Sequence, residues 1–475
     1  MEKQITTYYY QVYRDMVMQI YGGRYKKGST LPSLKELCNI YGIGRNTARS
    51  ALQQLERHGY IKTEPRKAAV VIFDMNNLKY RSFYLSELAS RKEAILQAYD
   101  FMELAFPEIF IFILQNQPKS VRMEIAGLVG LFAENLVVQS EAEMSAYVLQ
   151  LYKLVIALAD SQLLEQLFSS VYSFIQVPVS VSEWDRVKFK AIGPLFKSTF
   201  KKFQRQLEAD DYKKLKSQIQ MLCQVTKKRS KGYLEKTCKN IIPDVVEGFL
   251  WNVKGMQETE YVQLASDIME GMRTGIYKKG DILPSYAQLG VDHHVSEKTS
   301  RAAIELLGRL KLVSTINGVG TKVIGFCIDS REIFLKDKDM TKFIRSFFEA
   351  LQIVIILCKP LLQTAVYNLS KEEYYKLEEQ ILDNNMIKVF DILLPYANLP
   401  TASIIYSQLK KDLIWGHLLN CDIKWNKNFD APGSLSVRKT NLINEIYEVC
   451  LQYYKNAQSI IDEYSIEIQL GIKLE

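Results

Sequence analysis

The chain has 475 residues, 48% of them hydrophobic and 24% charged, with 61 Lys/Arg against 53 Asp/Glu and a net charge of +8. That length has room for several domains, and that hydrophobic content excludes wholesale disorder. The modest positive balance excludes neither an anionic partner nor a neutral one, so its placement along the chain matters more than its size.

The N-terminus MEKQITTYYY lacks the charged-then-apolar plan of a secretory signal. No apolar run reaches the ~20 residues of a membrane span. The longest candidate, around Ile353–Cys358, is bounded by Gln352 and Lys359 and reads as a buried helix, so no membrane partner is expected. Seven cysteines stand singly, without a CxxC pair. Such usage suits reduced thiols in a cytoplasm and predicts neither a disulfide framework nor a zinc site.

In chain order, Val12, Met16 and Ile20 fall at i, i+4 and i+8 and predict a helix that Gly23 would end. The phrase RYKKGSTLPS follows at residues 24–33. Ser33-Leu-Lys-Glu36 then forms a capping box that opens a second helix with Leu37 in its core. Tyr41-Gly42 predicts a tight turn. A third helix begins near Gly44, with Ala48, Ala51, Leu52 and Leu55 on the core side and Arg45, Asn46, Arg49 and Gln53 on the other. Such side chains make bidentate contacts to base edges and phosphates. Two β-prone segments follow, Tyr60–Thr63 and Val70–Phe73.

Residues 76–255 are rich in helix formers and poor in Gly and Pro. Within them, Lys227-Lys228-Arg229-Ser230-Lys231 reads as a solvated turn between helices. The earlier phrase then returns as IYKKGDILPS at residues 276–285, an offset of 252 (276 against 24). Its surroundings return too. Leu264, Ile268 and Met272 repeat the first stripe, Gly275 the stop, and Ser285-Tyr-Ala-Gln288 the capping box. His293-His294 repeats the turn, and Ser296 opens a third helix with Ser300, Ala303, Ile304 and Leu307 inward. Its outer face carries Glu297, Lys298, Arg301 and Glu305. β-prone segments Leu312–Ile316 and Lys322–Gly325 come next, and residues 328–475 are again helical. A period this long is no solenoid; it marks a duplicated unit. Residues 86–109 parallel 338–362, and 157–171 faintly parallel 394–409.

Helix, capped helix, turn, exposed helix and β-hairpin are the order of a winged helix-turn-helix. The expected fold is mainly α: two winged helix-turn-helix domains (1–75 and 256–327), each followed by an all-α helical bundle (76–255 and 328–475). The charge is uneven between the copies. Residues 1–75 hold 12 Lys/Arg and 6 Asp/Glu, whereas 256–327 hold 8 of each. The first copy therefore has the basic footprint of a polyanion binder. An amphipathic helix with outward arginines is, taken alone, more often a solvated face.

The phrase YKKG..LPS, the capped helix and, in copy one, GIGR.T.R.AL..L...GYI resemble the DNA-binding domain of the GntR family of bacterial transcription regulators. The resemblance implies double-stranded DNA as partner, contacted by a basic residue of the second helix, the arginines and threonine of the recognition helix, and a wing glycine. Those positions are Lys35, Arg45, Thr47 and Arg49 in copy one, with Asn46 beside them. In copy two they are Ala287, Glu297, Thr299 and Arg301, with Lys298 beside them and Gly318 and Gly320 in the wing. Copy one departs in its wing, TEPRKAAVV, where the family shows a glycine-rich G.GT.V. Copy two has that wing, NGVGTKV, and has lost two basic positions. Copy one is thus expected to do most of the reading, while copy two either binds weakly through Lys298, Arg301 and its wing or is structural.

The helical segments resemble, distantly, the FCD ligand-sensing domain of FadR-like regulators, with ADDYKKLKSQIQML (residues 209–222) where that domain opens its last helix. Such domains commonly hold a metal with one aspartate and three histidines. Here the histidines are His58, His293, His294 and His417, and His417 alone falls in a bundle. No metal and no cofactor is therefore expected, and His417 reads as an ordinary helix histidine. The expected function is a cytoplasmic, sequence-specific transcription regulator under a small-molecule effector whose contacts the sequence does not name. It would act as an intrachain pseudo-dimer or a homodimer. The alternative is a non-sequence-specific or protein-binding scaffold. An aminotransferase-type fusion enzyme would need a glycine-rich phosphate cradle and α/β alternation, so no enzyme activity is expected.

Overall fold

The computed structural model describes residues 8–21, 25–41, 43–65, 67–74, 78–134, 141–175, 183–243, 245–251, 260–381, 386–420, 434–464 and 466. Gly23 and Gly42, expected as a helix stop and a turn residue, lie outside them. The chain forms two compact units, Met1–Leu158 with Phe168–Leu250, and Ala159–Leu167 with Trp251–Glu475.

In the first unit, helix α1 (Tyr8–Tyr21) packs on α3 (Arg45–Arg57) through the predicted stripe, with Val12, Met16 and Ile20 all buried. Between them α2 (Leu34–Tyr41) starts at a complete capping box. The Ser33 N–H donates to Glu36 Oε2 at 2.7 Å, and the Glu36 N–H donates to Ser33 Oγ at 3.3 Å. These bonds hold the Glu36 carboxyl below its usual range. The hairpin pairs β1 (Ile61–Lys62) with β2 (Val70–Val71), shorter than the sequence suggested. Rings fill the core. Tyr21 meets Phe73 at 4.5 Å and Tyr84 at 4.1 Å, and Tyr13 bonds His58 Nδ1 at 2.6 Å. Tyr84 belongs to α4 (Leu78–Gln115), so the winged helix shares its core with the helical part of its own unit. Arg14 reinforces that joint by pairing with Glu87 at 3.7 Å and with Glu247.

This unit also holds α5 (Lys119–Glu134), α6 (Glu141–Ala157), α8 (Glu183–Glu208), α9 (Tyr212–Thr237) and, from Phe168 on, α7 (Gln162–Ile175), whose residues up to Leu167 count with the second unit. α4 lies along α9, and α5 along α8. Phe106, Phe110, Tyr152 and Phe168 stack between α4, α6 and α7. Asp211 caps α9 by accepting from the Lys214 N–H at 3.2 Å. The basic run 227–231 is not a turn. It lies inside α9, where Lys227 pairs with Asp100 and, at 3.5 Å, with Glu103, and Ser230 bonds Tyr99 at 2.8 Å. Helix propensity of Lys and Arg, with acidic partners waiting on α4, explains the outcome.

The second unit opens with the same plan: α10 (Glu260–Thr274), α11 (Tyr286–Asp292), α12 (Glu297–Arg309), β3 (Val313–Ile316) and β4 (Gly320–Val323). Its cap differs from expectation. Ser285 Oγ accepts from the Gln288 N–H at 3.2 Å, but the Gln288 amide donates to Asp292 at 2.7 Å, so half the box forms. The amide has a nearer acceptor one turn along its own helix. The turn that follows is tight, with His294 at φ 56. The helical part comprises α13 (Ile328–Lys336), α14 (Thr341–Tyr367), α15 (Lys371–Ile381), α16 (Met386–Leu393), α17 (Pro400–Leu413) and α18 (Leu435–Glu463).

Helix α14 is the axis of this part, buried along most of its length and packed on α17 and α18. Among the described residues, Lys338–Tyr367 is long and apolar enough to cross a membrane by length and composition, which corrects the reading that no segment is. Its apolar stretch is 67% buried inside the structure, as in a core helix. Phe343 stacks on Trp415 at 4.1 Å, and a Cβ added to Gly416 would run into the Phe347 ring.

Two consequences are measurable. Gly416→Ala forces that ring to move and is expected to cost about 1–3 kcal/mol in urea unfolding. His417 is half-buried with its Nε2 shielded from solvent, and desolvation depresses its imidazole from 6.5 to about 4. The unfolded imidazole protonates first as pH falls, so stability declines from about pH 6.5 towards 4. His417→Asn should flatten that part of the stability–pH curve.

Candidate nucleic-acid interface

In the first winged helix, burial of Ala48, Ala51 and Leu55 turns the other side of α3 outward; Leu52 is half-buried. Arg45, Asn46, Arg49 and Gln53 are exposed on that side, and Thr47 is half-buried. Lys35 is exposed on α2, which packs against α3. Among the described residues none of Lys35, Arg45, Asn46 or Arg49 makes a hydrogen bond or ion pair. Gly44 caps α3 without a side chain, so the first-turn amides beside Arg45 stay open. An exposed helix N-terminus with free guanidinium groups can accept phosphate oxygens and base edges together.

The short wing of this copy is braced from α3. Glu56 accepts from the Thr63 N–H at 2.7 Å and from its hydroxyl at 2.6 Å. Lys62 and Lys67 both approach Glu64, at 3.6 and 2.8 Å, and remain solvent-exposed.

The second copy presents the same scaffold with different chemistry. Glu297, Lys298, Arg301 and Glu305 are exposed on α12, while Thr299 is half-buried. Ser296 caps the helix, accepting from the Thr299 N–H at 3.1 Å and lying 2.7 Å from its hydroxyl, and Glu260 also reaches that hydroxyl at 3.4 Å. Thr299 is therefore tied into the protein. Arg301 stacks over the Tyr286 ring at 5.2 Å. Lys298 makes no hydrogen bond or ion pair among the described residues.

The wing here is a regular hairpin with Ile316 opposite Gly320. Val319 N–H closes the tip on Ile316 C=O at 3.1 Å, and Gly318 sits there at φ 76, exposed. Gly320, at φ 128, lets the strand pass Ile282, whose Cγ2 lies 2.9 Å from where a Cβ would stand. The second strand begins at Gly320, ahead of the expected Lys322.

Sequence reasoning placed Ser296 at the helix start but missed its tie to Thr299, and it missed the ring of Tyr286 under Arg301. Their signal was available: at the offset of 252 Tyr286 and Ser296 face Leu34 and Gly44, so both are places where copy two gained a side chain able to interact. Among the described residues no three His, Cys, Asp or Glu are grouped as metal ligands.

The model of the family "Bacterial regulatory proteins, gntR family" matches residues 8–71 and again 260–323. The HTH-type transcriptional regulator TreR of Bacillus subtilis (strain 168) is 42% identical over 82 residues, 17% of this chain and 33% of its own length. The chain thus spans about a third of that relative. Among solved structures, Streptococcus agalactiae GntR superposes with a TM-score of 0.21 at 11% identity, covering 46% of this chain and 99% of its own. E. coli McbR/YncC gives 0.21 at 16% identity, with 48% and 98% covered. At those scores the assignment rests on the two sequence matches and on the geometry above. This chain carries, in tandem, two winged helix DNA-binding domains of the GntR family of bacterial regulatory proteins.

Proposed function

We propose that the chain is a sequence-specific transcription regulator acting in the cytoplasm, with α3 as its main reading element and a small-molecule effector as its control. The observation that carries this reading is the set of exposed, unpartnered side chains Lys35, Arg45, Asn46 and Arg49 on one rigid head. Arg45, Asn46 and Arg49 would meet base edges, with Lys35 and Thr47 fixing register on phosphates. The second head, with Lys298, Thr299, Arg301 and the Gly318–Gly320 wing, would make the weaker contacts. Two heads on one chain then act as a covalent pseudo-dimer on an asymmetric operator. No catalytic step belongs to this reading.

A second reading has its own support. Glu297 opens α12 where a phosphate would lie, and Thr299 is already bonded within the protein. Both favour a second head that has left DNA and serves as scaffold.

In vitro selection from randomised duplex DNA near physiological salt tests these readings. A motif should emerge with the wild-type chain, and Arg49→Ala should lose affinity for it by about 1–3 kcal/mol without loss of stability. Absence of any motif from the folded protein, with and without candidate effectors, would sink sequence-specific reading. If the second head touches DNA, Glu297→Gln should tighten binding and Arg301→Ala should erase one half of the motif. Indifference to both assigns the second head to the scaffold role.

A further inference from the structure

Within the second unit, a cavity of about 410 Å³ lies between α10, the first helix of the second winged helix, and helices α16 and α17. That volume is in the range of small-molecule sites. Its apolar wall is built by Phe390, Leu394, Tyr406 and Ile414, with the Phe390 and Tyr406 rings stacked at 5.4 Å. Four charges at its edge satisfy one another. Lys410 reaches Asp391 at 2.7 Å and Glu270 at 2.9 Å, and Glu270 is held by Arg273 at 2.5 Å.

Two lining groups are left over, and a third, Asp267, has a partner only on its outer side. Ser266 is only 4% exposed, and its hydroxyl meets no hydrogen-bond partner. A buried hydroxyl without a partner is costly, and a ligand group would satisfy it. Lys411, half-buried, makes no hydrogen bond or ion pair among the described residues. Asp267 carries the opposite charge. Its side chain is 56% exposed; partial desolvation still raises its carboxyl above the usual range, and the charges of His293 and Lys411 pull it back. Asp267 and Lys411 both line the cavity and close no ion pair with each other. An apolar wall flanked by one unclosed pair of opposite charges matches a compact molecule with the same layout.

We propose that this cavity is a binding site for a small zwitterion with an apolar side chain, the amino-acid class, its ammonium on Asp267, its carboxylate on Lys411 and a hydrogen bond to Ser266. The ligand would sit on the reading apparatus itself. Asp267 also meets His293 Nδ1 at 3.4 Å, in the turn between α11 and α12, and α10 packs directly on α12. An ammonium that draws Asp267 inward loosens its hold on that turn and alters the pose of α12.

The site gives a place and a chemistry to the effector of the proposed regulator, and so its control over DNA rests on that reading. The test is isothermal titration of the full chain, without DNA, with each of the twenty L-amino acids. Saturable binding of at least one apolar amino acid is expected. Binding should vanish for its N-acetyl and carboxamide derivatives, which each lack one charge. Asp267→Asn and Lys411→Gln should each weaken binding tenfold or more, the cost of one charge-assisted bond. No binding by any of the twenty, or binding indifferent to both variants, overturns the site. DNA affinity is titrated alongside. Ligand binding that leaves DNA affinity unchanged keeps the site and removes its control. Intact motif selection without ligand binding removes the site and keeps the regulator.

Discussion

The close approach of one helix to the recognition helix in each head is the constraint on which the rest of the structure depends. α1 packs on α3, whose buried face includes Ala48 and Ala51, and α10 packs on α12, whose buried face includes Ser300 and Ala303. Short side chains on a packed helix face let neighbouring backbones come near. Burying one face in this way commits the other to solvent, where Arg45, Asn46 and Arg49 stand exposed. Neither head is oriented alone. α1 is tied to its own helical part by Tyr21 on Tyr84 and by the Arg14 ion pairs, and α10 to its own by Glu270 and Lys410.

Comparing the two copies separates what the scaffold requires from what recognition requires. The buried faces of α3 and α12 have the same character, since any loss there opens a cavity. The outer faces have parted. Arg45 stands where copy two has Glu297, and Gly44 where it has Ser296. Each of those replacements stabilises the helix in isolation, because an acidic residue and a capping hydroxyl both suit an N-terminus. The same pair weakens an anion site, because they occupy the amides and repel the charge that phosphate would bring. Copy one keeps its helix start uncapped by a side chain and its cations unpaired. An uncapped start and unpaired cations leave that helix less stable in isolation than a capped one.

Electrostatics also organises the helical parts. In the first unit the basic turns of α9 are matched by Asp100, Glu103 and Glu108 on α4. Lys216 and Lys227 thus hold α9 to α4. In the second unit an interlocked set of four charges closes one edge of the α10 cavity, leaving the charges of Asp267 and Lys411 to face it. A protein with several buried aromatic clusters can place such a cavity without losing its core.

Much of this was legible in the chain itself. The repeated phrase, the apolar stripes at helical spacing and the serine caps specify both heads because they are local: each acts within one or two turns of helix. Glycines 318 and 320 specify one wing for the same reason, since the chain passes there at positive φ and against Ile282. The outward arginines followed from the inward alanines. What only the tertiary structure decided was the fate of polar groups with more than one available partner. The Gln288 amide turned to Asp292, Thr299 was bound by Ser296 and Glu260, and the lysine run entered a helix because acids on α4 faced it. The cavity beside α10 is of this kind as well. Its walls come from segments more than a hundred residues apart, and no local pattern records which side chains meet across that distance.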